Sequence, residues 1–184
     1  MIAFLGWGSL VWNPGALPIQ RFWHNDGPYI RAEFLRQSSN KRLTLVLSET
    51  ANPTRSLWAT YAGTDRNAAC EALREREGIL QRNSAMHIGS WTRGQPNPDC
   101  ILELEPWATA HGINSVVWTA LPPKFNGANN TSPTVEEAVT YLSGLEGPER
   151  DTAEEYIRRA PQQIDTAYRR RIEAALGWSY LTHN

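Results

Sequence analysis

Met1-Ile2-Ala3-Phe4-Leu5, followed by Gly6-Trp7-Gly8-Ser9-Leu10, is the stretch on which the reading of this chain turns. An apolar run that stops at a Gly-Xaa-Gly turn reads as a buried strand feeding a tight loop. Glycines at 6 and 8 permit left-handed or strained backbone angles and the close approach of a ligand. Successive amide N–H groups in such a turn form a concavity for an anion without any lysine. Trp7 and Trp12 are expected to wall it, and the Ser9 hydroxyl adds a polar group. The same five residues also fit a strand followed by an ordinary turn, and only a second element separates the two readings.

Outward from this loop, the first third reads as a meander of strands. Asn13-Pro14-Gly15 makes a turn, and Ala16–Gly27 is irregular around a buried aromatic pair, Phe22 and Trp23. Tyr29–Ser38 and Arg42–Leu47 form a hairpin about Ser39-Asn40, with Leu43, Leu45 and Leu47 on one face; Ser56–Ala62 adds a strand after the break at Asn52-Pro53. Thr64 or Asp65 caps a helix from Arg66 to Glu77 that Gly78 stops. Met86–Thr92 and Val116–Leu121 read as strands, and Cys100–His111 as a helix ending at Gly112. Gly94–Pro98 and Gly127–Ser132 are loops, and helices are expected over Pro133–Leu145, Glu149–Arg159 and Pro161–Leu176. In the last, Ile164, Tyr168, Ile172 and Leu176 make one apolar stripe.

The second element is the end of the helix at residue 77. With Ala69 at zero and a step of about 100° per residue, Leu73 and Leu80 fall within roughly 40° of it and Glu77 at roughly 80°. Glu75 lies at about 240°, turned towards water. Glu77 therefore borders the buried face at a helix C-terminus, a setting for a carboxylate that exchanges protons near neutrality. The same arithmetic puts Arg76 near the apolar stripe, and the ordinary reading of Glu77 is an exposed glutamate in the last helical turn paired with a nearby arginine.

Composition narrows the partners. The 184 residues are 41% hydrophobic and 20% charged, with 18 basic and 19 acidic side chains and a net charge of −1. Such a balance gives no long-range attraction to nucleic acid or anionic membranes, and Arg169-Arg170-Arg171 fans around a helix axis rather than forming a patch. No apolar run is long enough to span a bilayer, and Arg21 is the first basic residue, so the charged start of a signal peptide is missing. The two cysteines, Cys70 and Cys100, are far apart, which fits reduced thiols in a cytoplasm. His24, His87, His111 and His183 have no partner at metal-ligand spacing, and no metal is expected. A hydrolase nucleophile elbow at Ser9 would require glycine at Val11, and no Walker lysine follows the Gly-rich turn. Trp118-Thr119 and Lys124-Phe125-Asn126, which flank the pair Pro122-Pro123, fit either a pocket lining or core packing with a rigid exit turn.

Taken together these residues resemble the gamma-glutamylcyclotransferase-like family. Its members open with an apolar strand and a Tyr-Gly-Ser-[Leu/Asn] loop, which Phe4-Leu5-Gly6-Trp7-Gly8-Ser9-Leu10 matches with Trp7 in place of the tyrosine. Leu73-Arg74-Glu75-Arg76-Glu77-Gly78 is similar to the segment that carries the family's catalytic glutamate, and places it at Glu77. The resemblance covers about the first 80 residues. It implies an α+β fold, a small mixed β-barrel or sheet with peripheral helices, as a single domain over residues 1–184 in which 133–184 is an added helical segment packed on the rest. It also implies a reaction without a cofactor. A small gamma-glutamyl substrate is cyclised to 5-oxoproline, with Glu77 as the base and acid and Gly6, Trp7, Gly8, Ser9 and Leu10 binding it. The same residues also suit a protein that only binds a small molecule in that pocket.

Overall fold

The computed structural model describes residues 1–20 and 22–181. Strand β1 (Ile2–Gly6) is buried at all five positions, as an unbroken apolar run requires when both faces of a sheet are covered. It pairs antiparallel with β5 (Leu57–Thr60), Ala3 facing Thr60 and Gly6 facing Leu57. On its other side it runs parallel to β8 (Ser115–Thr119), which pairs in turn with β6 (Ile88–Thr92). The sheet order is β5-β1-β8-β6.

Helix α1 (Arg66–Arg76) starts where the Asp65 side chain accepts from the Asn67 N–H at 2.9 Å. It ends in a Schellman turn. Gly78, at φ +65, lets its own N–H reach Glu75 O and the Ile79 N–H reach Arg74 O, both at 3.0 Å. Alternate residues of β1, Ile2 and Phe4, and the fourth-neighbour pair Ala69 and Leu73 of α1 then share one core cluster with Leu10, Leu17, Ile79, Ile88 and Val117. Burying Leu73 completely contributes about 2 kcal/mol. Leu80, expected on this face, is 53% exposed, and Ile79 is buried instead, because the left-handed turn at Gly78 ends the helical phase.

The described residues divide into two compact units, Met1–Ile30 with Arg55–Leu121, and Arg31–Thr54 with the described residues from Pro122 onward. Where the sequence is read as one domain with 133–184 appended, the C-terminal helices share a unit with Arg31–Thr54. The first unit holds the sheet and helix above. It also holds a 3-10 turn (Gln81–Asn83), the short helix α2 (Ser84–His87), strand β7 (Ile101–Leu102) and helix α3 (Leu104–Ala110). The helix expected over Cys100–His111 is thus a strand and a shorter helix. Glu103, at φ +52, turns the chain between them, and Pro106 falls in the first turn of α3, where its missing N–H is tolerated. Phe22, expected to be buried, is 62% exposed, while Trp23 is half-buried.

In the second unit, β2 (Tyr29–Gln37, entering it at Arg31) pairs antiparallel with β3 (Leu43–Leu47), with a register shift between Phe34 and Arg36. The sheet order there is β10-β9-β2-β3, with β9 (Lys124–Phe125) and β10 (Ala128–Asn129); β4 (Pro53–Arg55) also pairs β2. The strands of the first third are therefore split between two sheets and are not one meander, because alternation reports a strand but not its neighbour. Helices α4 (Val135–Ser143), α5 (Gly147–Arg159) and α6 (Ala167–Leu176) complete the unit. The chain is thus a mixed α+β protein with six α-helices among the described residues.

Helix α6 begins six residues later than the sequence periodicity predicts, and its start is fixed by a buried carboxylate. Thr166 caps it by accepting from the Arg169 N–H at 3.1 Å, and the Thr166 hydroxyl donates to Glu33 Oε1. Glu33, 5% exposed, also accepts from the N–H of Tyr168 at 3.2 Å and of Phe34 at 3.0 Å. Burial pushes the Glu33 carboxyl above its ordinary value, outweighing these hydrogen bonds to its charged form. A folded value above the unfolded one means the native state favours the proton. Glu33 then adds full stability below the ordinary carboxylate range and loses it as pH rises through the folded value. We expect urea midpoints to fall over that window in the wild type, and this component to vanish in Glu33→Gln. Parallel pH series of the two proteins check it, and identical slopes would contradict it.

Candidate active site

The candidate site lies within the first unit, where β1 ends and α1 stops. After Gly6 the chain winds into successive turns: the Val11 N–H donates to Gly8 O at 3.0 Å and the Asn13 N–H to Ser9 O at 2.8 Å. The N–H groups of Gly8, Ser9 and Leu10 have no acceptor among the described residues. Trp7 and Leu10 are buried, Ser9 and Trp12 half-buried. Leu10 therefore serves the core with its side chain and can offer a ligand only its backbone.

Gly6 and Gly8 are not among the glycines at positive φ, so the expected left-handed backbone at these two positions is absent. Gly6 is needed for space. A Cβ built there would stand 2.8 Å from Trp23 Cζ3 and 3.0 Å from Val11 Cγ2, closer than packed carbon atoms come.

Glu77 is the C-cap of α1, and its side chain is 16% exposed, against 67% for Glu75. The side chain between them makes the arginine pairing that the ordinary reading of Glu77 expects. Arg76, 13% exposed, places Nη1 at 2.5 Å from Glu77 Oε1. Its Nη2 donates to Asn13 O at 2.6 Å and makes a long contact of 3.4 Å with Ser9 Oγ. Consecutive residues within a helix do not face each other. These two do because Glu77 is already leaving the helix at Gly78. One guanidinium thus ties the Glu77 carboxylate to the loop of Ser9 and Asn13. The helical arithmetic that set Arg76 beside the apolar stripe was the signal for it.

Comparison with family models, with curated proteins and with solved structures found no match in any of the three.

Several other groups of this unit are engaged elsewhere, while His87 Nδ1 is buried without a hydrogen-bond partner among the described residues. His111 Nδ1 lies 2.9 Å from Trp107 O and Nε2 lies 3.2 Å from Asp26 Oδ2, so both ring nitrogens face acceptors away from the loop after β1 and the end of α1. Asp26 also accepts from the Trp58 indole at 2.8 Å, which holds its carboxyl below the ordinary range. His24 stacks on Trp58 at 4.3 Å, and His183 lies outside the described residues. Burial pushes the Cys70 thiol up, away from the reactive thiolate. Among the described residues no group of three or more His, Cys, Asp or Glu is placed to hold a metal, and no helix is long and apolar enough to cross a membrane. The Glu77, Arg76 and loop N–H assembly therefore combines one proton acceptor with several anion-binding donors, and it contains no thiolate nucleophile.

Proposed function

We propose that this chain is a gamma-glutamylcyclotransferase-like enzyme, with the mixed fold of that family. In this reading it cyclises a small gamma-glutamyl amide to 5-oxoproline and releases an amine or amino acid in the cytoplasm. The observation that carries the reading is the Arg76 bridge, which draws the Glu77 carboxylate to the first loop.

The chemistry needs little else. The substrate's own α-amine attacks its γ-carbonyl carbon, and that bond closes a five-membered ring. The pocket contributes by holding the folded conformer, so proximity comes largely from the substrate. Arg76 receives the substrate α-carboxylate in a paired, charge-assisted contact, and this exchange of one carboxylate for another releases Glu77. Glu77 takes a proton from the attacking nitrogen and returns it to the leaving nitrogen as the old amide C–N bond breaks. The N–H groups of Gly8, Ser9 and Leu10 hold the oxyanion formed between these steps, where one donor is typically worth about 3 kcal/mol. No water, metal or redox partner enters the balance.

The same ion pair favours a second reading. A carboxylate already matched at 2.5 Å suits a protein that binds a small acid without turning it over. A panel of gamma-glutamyl amides assayed for 5-oxoproline release separates the two. Turnover of any member supports the enzyme, and tight binding with no turnover across the panel supports the binding protein.

A further inference from the structure

The second unit contains a cavity of about 620 Å³ whose charged lining residues, Arg36, Lys41 and Lys124, are all cationic. We propose that it is a binding site for a small phosphate-bearing anion, held by these three cations with Ser38, Ser39 and Asn126 as hydrogen-bonding neighbours.

The cations are placed by the backbone. Arg36 near the end of β2 and Lys124 on β9 are direct partners in the parallel pairing of these strands. Like charges directly opposed on neighbouring strands destabilise a sheet unless something neutralises them, and no carboxylate lines the cavity. Arg36 is anchored rather than neutralised. Its Nη1 donates to Pro122 O at 2.7 Å, while its Nε and Nη2 have no partner among the described residues.

The rim is equally well defined. Asn126 and Gly127, both at positive φ (49° and 82°), make the tight turn between β9 and β10. The Asn126 N–H donates to Gln37 Oε1 at 2.8 Å, which fixes this turn to β2. The Tyr141 hydroxyl donates to Lys41 O at 2.7 Å and fixes the opposite lip. The volume falls within the range of small-molecule sites and exceeds what one phosphate group fills, so an organic phosphate uses the space better than a bare ion.

The test is titration of the full chain with inorganic pyrophosphate, followed by amide chemical shifts. The amides of Gln37, Lys41, Asn126 and Gly127 are expected to move. The double variant Lys41→Gln/Lys124→Gln is expected to bind at least about tenfold more weakly. Without ligand it melts no lower than the wild type, because a like-charge pair has been relieved. Lys124→Arg, which keeps the charge, retains binding. Titrating ribose 5-phosphate beside inorganic phosphate identifies the source: tighter binding of the sugar phosphate assigns an organic ligand, and the reverse order assigns phosphate itself. The proposal is overturned if pyrophosphate moves none of these amides at millimolar concentration, or if the uncharged double variant binds as well as the wild type.

Discussion

On the proposed reading, Glu77→Gln is expected to lower the rate of 5-oxoproline release by about 10²–10⁴-fold while the protein stays folded, the largest expected effect of any single substitution. Glutamine has the same shape and keeps a carbonyl oxygen for Arg76 Nη1, but it cannot carry the proton from the attacking to the leaving nitrogen. The helix end survives, because its cap is made by backbone groups of Arg74, Glu75, Gly78 and Ile79 rather than by the Glu77 side chain. Replacing the ion pair with a hydrogen bond from the guanidinium to a neutral carbonyl costs roughly 1 kcal/mol of stability. A kcat measured beside the melting temperature distinguishes a lost proton carrier from a lost fold, and equal rates in the two proteins would remove Glu77 from the chemistry.

Arg76→Gln acts on binding instead. It removes the tie to Asn13 O and the charged group proposed to receive the substrate carboxylate, and KM is expected to rise roughly 10–100-fold with a smaller change in kcat. Arg76→Lys restores the charge only in part. A single ammonium lacks the planar fork that reaches Glu77 Oε1 and Asn13 O together. The kcat and KM values of both variants decide the matter. A fall in kcat with unchanged KM would show that Arg76 does not receive the substrate.

Helix α1 was legible because its stop signals are local: Asp65 caps it, Gly78 ends it, and Glu77 falls on the rim of the buried face as the helical angle predicts. Strand β1 was legible for a like reason, a continuous apolar run. The failures were mostly tertiary. Nothing near Thr166 announces that Glu33, far along the chain, satisfies the first N–H groups of α6 and fixes its start. Ile164 kept its place in the core without being helical. The β9–β10 hairpin was legible and missed, since Asn126-Gly127 is a strong two-residue turn signal. At the site, the sequence leaves open a pairing of Glu77 with a nearby arginine, and the structure identifies that arginine as Arg76. Its pairing with Glu77 depends on the chain leaving the helix at that residue, which a helical projection does not represent.

The central claim is that the loop after β1 and the end of α1 form one site for a folded glutamyl group. Titrating 5-oxoproline into the wild-type protein, with backbone amide and arginine side-chain signals followed together, tests it most directly. The account predicts that the N–H signals of Gly8, Ser9 and Leu10 and the guanidinium signals of Arg76 shift in one saturable transition. Saturable binding that leaves those signals unmoved, with shifts confined to other parts of the chain, would contradict it.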